Sequence, residues 1–166
     1  MRTLKVIDEH NYEGTVKVYE KFSVRAIIRR NGKIAMQKSE AGEYKILGGG
    51  VEKCETYEDA LAREVREESG LVVIPSSIRE IGEIIEIRRD RFAEDTKYIN
   101  HSLYYFCDAE EKMVEPEMTE SEIEAGFHLV WADYDEVILC NSIIVGKPWI
   151  DRDTLAVRML RDGELG

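Results

Sequence analysis

The stretch GGVEKCETYEDALAREVREESGL, residues 49–71, decides the reading of this chain. Thr56 stands where a helix N-cap is expected, with Asp59 in the place of a capping-box acid. Gly70 is placed to close the helix in the left-handed conformation. The spacing therefore predicts a helix over residues 57–69. Leu61, Ala62 and Val65 form an apolar stripe on it, fit to face a core. Glu64, Glu67 and Glu68 share another face, because residues three and four apart are neighbours on a helix. Like charges so spaced cost roughly 0.2–0.5 kcal/mol per pair. They also stand at the end of the helix that the macrodipole makes unfavourable for acids. The three glutamates are thus poor helix stabilisers. On the helix alone two readings stay open: a solvated acidic face, or a set of hard oxygen ligands for Mg2+ or Mn2+.

The rest of the chain sets the frame. Its 166 residues are enough for one domain over 1–166 with a sizeable core, and 43% hydrophobic residues argue for a globular protein. A net charge of -11 argues against nucleic acid or an anionic membrane as partner, since both need a basic footprint. A polyphosphate is compatible with it, because a bound metal inverts the local field. Cys54, Cys107 and Cys140 are odd in number and show no CxxC spacing. That pattern suits a reducing compartment and no disulfide or zinc framework. The start, MRTLKVIDEH, has no apolar leader, and no run is long enough to span a bilayer. The expected location is cytoplasmic.

Strands are predicted over residues 22–30 and 33–39, joined by Asn31-Gly32, which suits a type I′ hairpin turn. A short strand runs over 44–50 into a glycine turn. After the helix, strands are predicted over 78–89, 98–109 and 127–133, with an acidic loop at 115–126. Helices follow over 133–141 and from Asp151. This order suggests a mixed sheet with helices on its faces.

The spacing within 49–71 adds a resemblance. Gly49, Glu55, Arg63, Glu64, Val65, Glu67, Glu68, Gly70 and Leu71 fill all nine specified positions of G-x5-E-x7-R-E-U-x-E-E-x-G-U, the signature of the Nudix hydrolases. The flank Tyr44-Lys45-Ile46-Leu47-Gly48-Gly49 is similar to the family's aromatic residue followed by Leu-Pro-Gly-Gly, with Leu47 where Pro is usual. Cys54 stands where Gly is common just before the box glutamate.

The resemblance implies an α/β fold, an α/β/α sandwich with a mixed β-sheet, and a hydrolase of a nucleoside diphosphate linked to a group X. It implies Mg2+, with Mn2+ as a substitute, held by Glu64, Glu67, Glu68 and the Gly49 carbonyl. Arg63 would orient Glu55 or Glu64. The general base would be Glu64 or a residue of the acidic loop, among Glu120, Glu122 and Glu124, with Glu122 the first choice. Expected substrate contacts are Arg29 and Lys38 on the early hairpin, alongside Arg25, then Tyr44, and Arg88 in a basic stretch with Arg89, Arg91 and Lys97. That stretch also reads as ordinary solvated charge. His10, His101 and His128 show no ligand spacing. The window Ile84–Arg88 has neither the Pro nor the Tyr that marks two subfamilies, which leaves (d)NTPs and nucleotide sugars as substrates. Homodimers are common in the family. The competing readings are an inactive Nudix module that binds or regulates, and a diphosphate isomerase. The full set of box acids disfavours the first, and nothing outside the box singles out the second.

Overall fold

The computed structural model describes residues 1–165. Two four-stranded sheets form its centre. In the first, β1 (Thr3–Asp8), β6 (Arg79–Arg89), β7 (Thr96–Phe106) and β2 (Lys17–Ile27) lie in that spatial order. The outer pairs are parallel and β6–β7 is antiparallel, so the sheet is mixed. In the second, β4 (Lys33–Lys38) pairs antiparallel with β3 (Arg29–Arg30), β5 (Tyr44–Ile46) and β8 (His128–Ala132). The single mixed sheet expected from the sequence is thus divided in two. Backbone bonds join the parts: the Val24 and Ala26 amides donate to the Gly49 and Leu47 carbonyls, both at 2.9 Å.

Helices cover the sheets. Helix α1 (Tyr57–Ser69) lies on one face. Helices α3 (Tyr134–Ser142) and α4 (Pro148–Arg161) lie on the other, and a short α2 (Glu120–Glu124) stands at the rim. Strand alternation explains why both faces are needed. Val24, Ala26 and Ile28 point to the core shared with Leu61 and Val65 of α1, whereas Ile27 points to the core shared with Ala156 and Val157 of α4. β7 does the same, with Leu103 and Tyr105 on one side and Tyr104 and Phe106 on the other. A sheet that buries both faces needs a helical layer on each.

The strongest local signals match the structure. α1 begins and ends as predicted: the Thr56 side chain accepts from the Asp59 amide at 3.1 Å, and Gly70 has φ 75° with its amide on the Arg66 carbonyl. Asn31 and Gly32 turn with φ 52° and 77°. Four details differ. β1 is absent from the sequence reading, since an edge strand with no buried residue lacks a clear apolar pattern. The predicted strand 22–30 starts at Lys17 and breaks at Ile28 into β2 and β3. The acidic loop contains α2, closed by a Thr119–Glu122 capping box. α4 starts at Pro148, not Asp151, because proline's fixed φ suits the first helical position. Among the described residues, no helix is long and apolar enough to cross a membrane.

Candidate active site

The Gly48–Gly50 turn, the carboxylate face of α1, α2 and the first turn of α4 enclose a cleft of about 460 Å3. Glu64 and Glu68 line it, with Arg25, Lys45, Glu122 and Arg152 around them. The glycines there are steric necessities. Gly48 has φ 133°, and a Cβ on it would meet the Val24 carbonyl oxygen at 2.1 Å. A Cβ on Gly49 would lie 2.3 Å from Glu64 Oε2. The turn thus packs its bare backbone against the Glu64 carboxylate.

Arg63 organises the outer part of the site. Its Nε and Nη2 donate to the two oxygens of Glu55 at 2.8 and 2.9 Å, a bidentate pair of the strong kind. Nη2 also donates to the Gly50 carbonyl at 3.0 Å, and Nη1 reaches Glu64 Oε1 at 2.7 Å and Glu67 Oε2 at 3.3 Å. The guanidinium therefore touches both glutamates that the sequence offered it. Its bond to Glu55 holds that carboxyl down to about 2 and raises the guanidinium's own pKa.

Glu68 is different. It is buried, and its Oε2 accepts the Gly48 amide at 2.7 Å. Lys45 is 4.0 Å from its other oxygen, beyond hydrogen-bond range. Burial pushes its carboxyl up to about 8, against the pull of Lys45 and the Gly48 amide. Glu64 is also shifted upward by burial, despite its bond to Arg63.

The structure separates the predicted residues. Glu64, Glu68, Gly49 and Glu122 face the cleft, whereas Glu67 is turned onto Arg63 and is not among the lining residues. Among the described residues, no group of three or more His, Cys, Asp or Glu side chains is gathered for a metal. Of the three loop acids only Glu122 lines the cleft, 3.7 Å from the Lys45 ammonium. Burial pushes it up, but the Thr119 amide and hydroxyl at 2.9 and 2.7 Å outweigh this, and its pKa stands below the ordinary value.

Of the expected substrate contacts, Arg25 lines the cleft, whereas Arg29, Lys38, Tyr44 and Arg88 do not. Arg29 sits over the Phe106 ring in a separate hollow. Lys38 packs over the Tyr44 ring, whose buried hydroxyl donates to Glu136. Arg88 lies over Tyr98. Arg29 shares Arg25's face by alternation but stands four residues farther along the chain, past the break at Ile28, which carries it away from the cleft. Besides Arg25 from β2, which donates to the Gly48 carbonyl, the cleft takes Lys45 from β5, and Trp149 and Arg152 from α4. Arg152 is buried, held by Asp153 at 2.8 Å and Glu86 at 3.0 Å. Lys45 lies three residues before the glycine turn in the sequence. Arg152 arrives from roughly a hundred residues away, and no local motif announces it.

The family model of the NUDIX domain matches residues 20–152. This chain belongs to the Nudix hydrolase family. The nucleoside triphosphatase NudI of Escherichia fergusonii is 37% identical over 67 residues, covering 40% of this chain and 48% of that protein. The chain thus spans about half the length of the curated relative it matches. Solved structures share the Nudix fold. A NUDIX hydrolase from Nitrosomonas europaea has a TM-score of 0.57 at 17% identity, with 83% of this chain and 90% of that one covered. A MutT NUDIX hydrolase from Burkholderia pseudomallei has 0.53 at 22% identity, with 84% and 97% covered.

Proposed function

We propose that the chain hydrolyses the pyrophosphate bond of a nucleoside diphosphate linked to X, with Mg2+ as cofactor and the Glu64–Glu68 cleft as its active site. One observation carries the reading: the buried carboxyl of Glu68, short of partners, and the half-buried one of Glu64, both shifted upward by desolvation, face a cleft rimmed by Arg25, Lys45 and Arg152. Carboxylates alone would repel a diphosphate. Together with cationic side chains they suit a diphosphate that brings a cation with it.

The donors fit such an ion. Glu64, Glu68 and the Gly49 carbonyl offer only hard oxygens, and Mg2+ needs few protein ligands because it keeps several waters. When bound, the ion neutralises the diphosphate and lowers the pKa of a coordinated water. The chain's own groups do the rest. Arg25, Lys45 and Arg152 receive phosphate oxygens and offset charge as it shifts in the transition state. Arg63 fixes Glu64 in orientation through Nη1. Water oxygen bonds to phosphorus, the bridging P–O bond breaks with its electron pair leaving on the departing phosphate, and a carboxylate takes the proton. Glu64 is the base best supported by position. Glu122 is held by its capping bonds and its lowered pKa, which makes it a weaker acceptor.

A panel of (d)NTPs and nucleotide sugars, assayed with Mg2+ for released phosphate, pyrophosphate or nucleoside monophosphate, tests the reading. Turnover of at least one class that stops with a chelator is expected. No turnover of any pyrophosphate compound with Mg2+ or Mn2+ would favour a binding module that has lost catalysis.

A further inference from the structure

The sheet face under α4 is apolar along much of its length, with Ile84, Tyr104 and Phe106 in the core. Beside these residues it turns polar. Glu86 of β6 stands opposite Asn100 of β7 in the strand register, and Ser102 of β7 opposite Ser23 of β2. All four are buried, and they are bonded in a chain. Ser23 Oγ donates to Asn100 Oδ1 at 3.1 Å. The Asn100 amide donates to Ser102 Oγ at 3.0 Å and to Glu86 Oε2 at 2.8 Å. The same Glu86 oxygen accepts Arg152 Nη1 at 3.0 Å. On the other side, Asp153 Oδ1 accepts Arg152 Nε and Nη2 at 2.9 and 2.8 Å, and Asp153 Oδ2 accepts the Ile46 amide at 2.9 Å. Two carboxylates therefore grip one guanidinium, and each carboxylate is itself tied to a strand. A guanidinium has five N–H groups. Three serve these bonds, which leaves two without a partner among the described residues, on a buried side chain that lines the cleft. Stability alone explains such a cluster poorly, because desolvation offsets much of the attraction and apolar residues of like volume often serve as well.

We propose that Glu86 is a positioning residue: backed by Asn100, it fixes the Arg152 guanidinium so that its two spare N–H groups meet phosphate oxygens in the cleft. Glu86 is not among the residues that line the cleft and acts only through Arg152. The role rests on the pyrophosphohydrolase reading of that cleft. Its physical basis is preorganisation. A free arginine side chain carries about 2 kcal/mol of rotamer entropy, part of which is lost whenever it closes on a ligand. A fork already held in place has less to lose, and it need not move as charge shifts onto the phosphate oxygens. Asn100 has the matching task one step back. It fixes the Glu86 oxygen that faces Arg152, as Ser23 fixes Asn100.

A double-mutant cycle tests the proposal, because a residue that acts through another has no effect once that other is gone. Glu86→Leu, Arg152→Gln and the double variant are assayed with Mg2+ on a pyrophosphate compound that the wild type turns over. Arg152→Gln should lower kcat/KM about a hundredfold, and Glu86→Leu at least about tenfold. The double variant should match Arg152→Gln within about twofold. Glu86→Gln should recover most of the loss, since one amide oxygen can accept both Arg152 and Asn100 as the carboxylate oxygen does. Losses that multiply in the double variant would overturn the proposal, as would wild-type kinetics in Glu86→Leu. An inert Arg152→Gln would overturn it too, while leaving the hydrolytic reading intact. If Arg152→Gln fails to fold, the Glu86 pair decides: recovery by Gln supports the role, and equal loss in Leu and Gln contradicts it. If no pyrophosphate compound is turned over, the hydrolytic reading falls. The affinity of the same variants for imidodiphosphate with Mg2+, measured by calorimetry, then decides, and a wild type that does not bind it would overturn the positioning role as well.

Discussion

Glu55 and Glu68 carry the same carboxyl group on the same loop-and-helix unit, and the fold treats them oppositely. Glu55 receives two N–H groups of Arg63 and donates nothing to the cleft. Its partners hold it down to about 2. Glu68 is buried with one amide and a lysine 4.0 Å away, and burial pushes it up to about 8. The difference separates scaffold from site. A carboxylate with all its partners is part of what shapes the loop. A buried carboxylate left short of them costs stability, and such groups gather where a ligand completes the compensation.

The contrast breaks most visibly at Glu68. Glu68→Gln should lower kcat/KM about a hundred- to a thousandfold, as loss of an electrostatic group in a site does. Its thermal midpoint should stay level or rise, because Gln keeps an acceptor for the Gly48 amide and replaces a carboxyl whose charged form burial disfavours. A large drop in the midpoint would move Glu68 to the scaffold side. Gly49→Ala comes next. The new Cβ would lie 2.3 Å from Glu64 Oε2, so the carboxylate must move, and a displacement near 1 Å costs roughly a hundredfold in rate. Denaturant unfolding should change little by comparison.

Arg63→Ala should act on stability as well as rate. It leaves Glu55, Glu64 and Glu67 without their shared partner. A partly buried cluster lies between the exposed and buried limits, so about 2 kcal/mol is expected in a denaturant titration. Glu55 sharpens the same point through pH. Its folded pKa is depressed from 4.5 to about 2. Its contribution is therefore present above about 4.5 and lost as pH falls toward 2. Glu55→Gln should flatten the acid side of the stability profile in that window. The smallest effect concerns Cys54, which adopts φ 67°, in the left-handed region that favours glycine. Cys54→Gly should stabilise by about 1 kcal/mol with kcat unchanged.

The sequence made α1 legible to the residue, because a cap, a left-handed stop and an apolar stripe are all local. Cys54 was legible in the same way: a residue in a glycine slot, found there with a glycine's backbone angle. The box contains Glu64, Glu68 and Gly49, which line the cleft, and Arg63, which bonds to Glu55 and Glu64. It did not foretell that Glu67 would turn to Arg63, since helical spacing fixes a face and not a rotamer. The cationic wall was largely illegible. Alternation puts Arg25 and Arg29 on one face of the early strands, and only their separation along the chain across the break at Ile28 tells them apart. Trp149 and Arg152 reach the cleft through tertiary packing of α4, on which periodicity is silent.

Manganese affinity measured by electron paramagnetic resonance, on the wild type and on Glu55→Gln, Glu64→Gln and Glu68→Gln, tests the central assignment most directly. Binding should weaken at least about tenfold in the Glu64 and Glu68 variants. It should stay within a few-fold of wild type in Glu55→Gln. Unchanged binding in Glu68→Gln, or loss confined to Glu55→Gln, would contradict the division between scaffold and site.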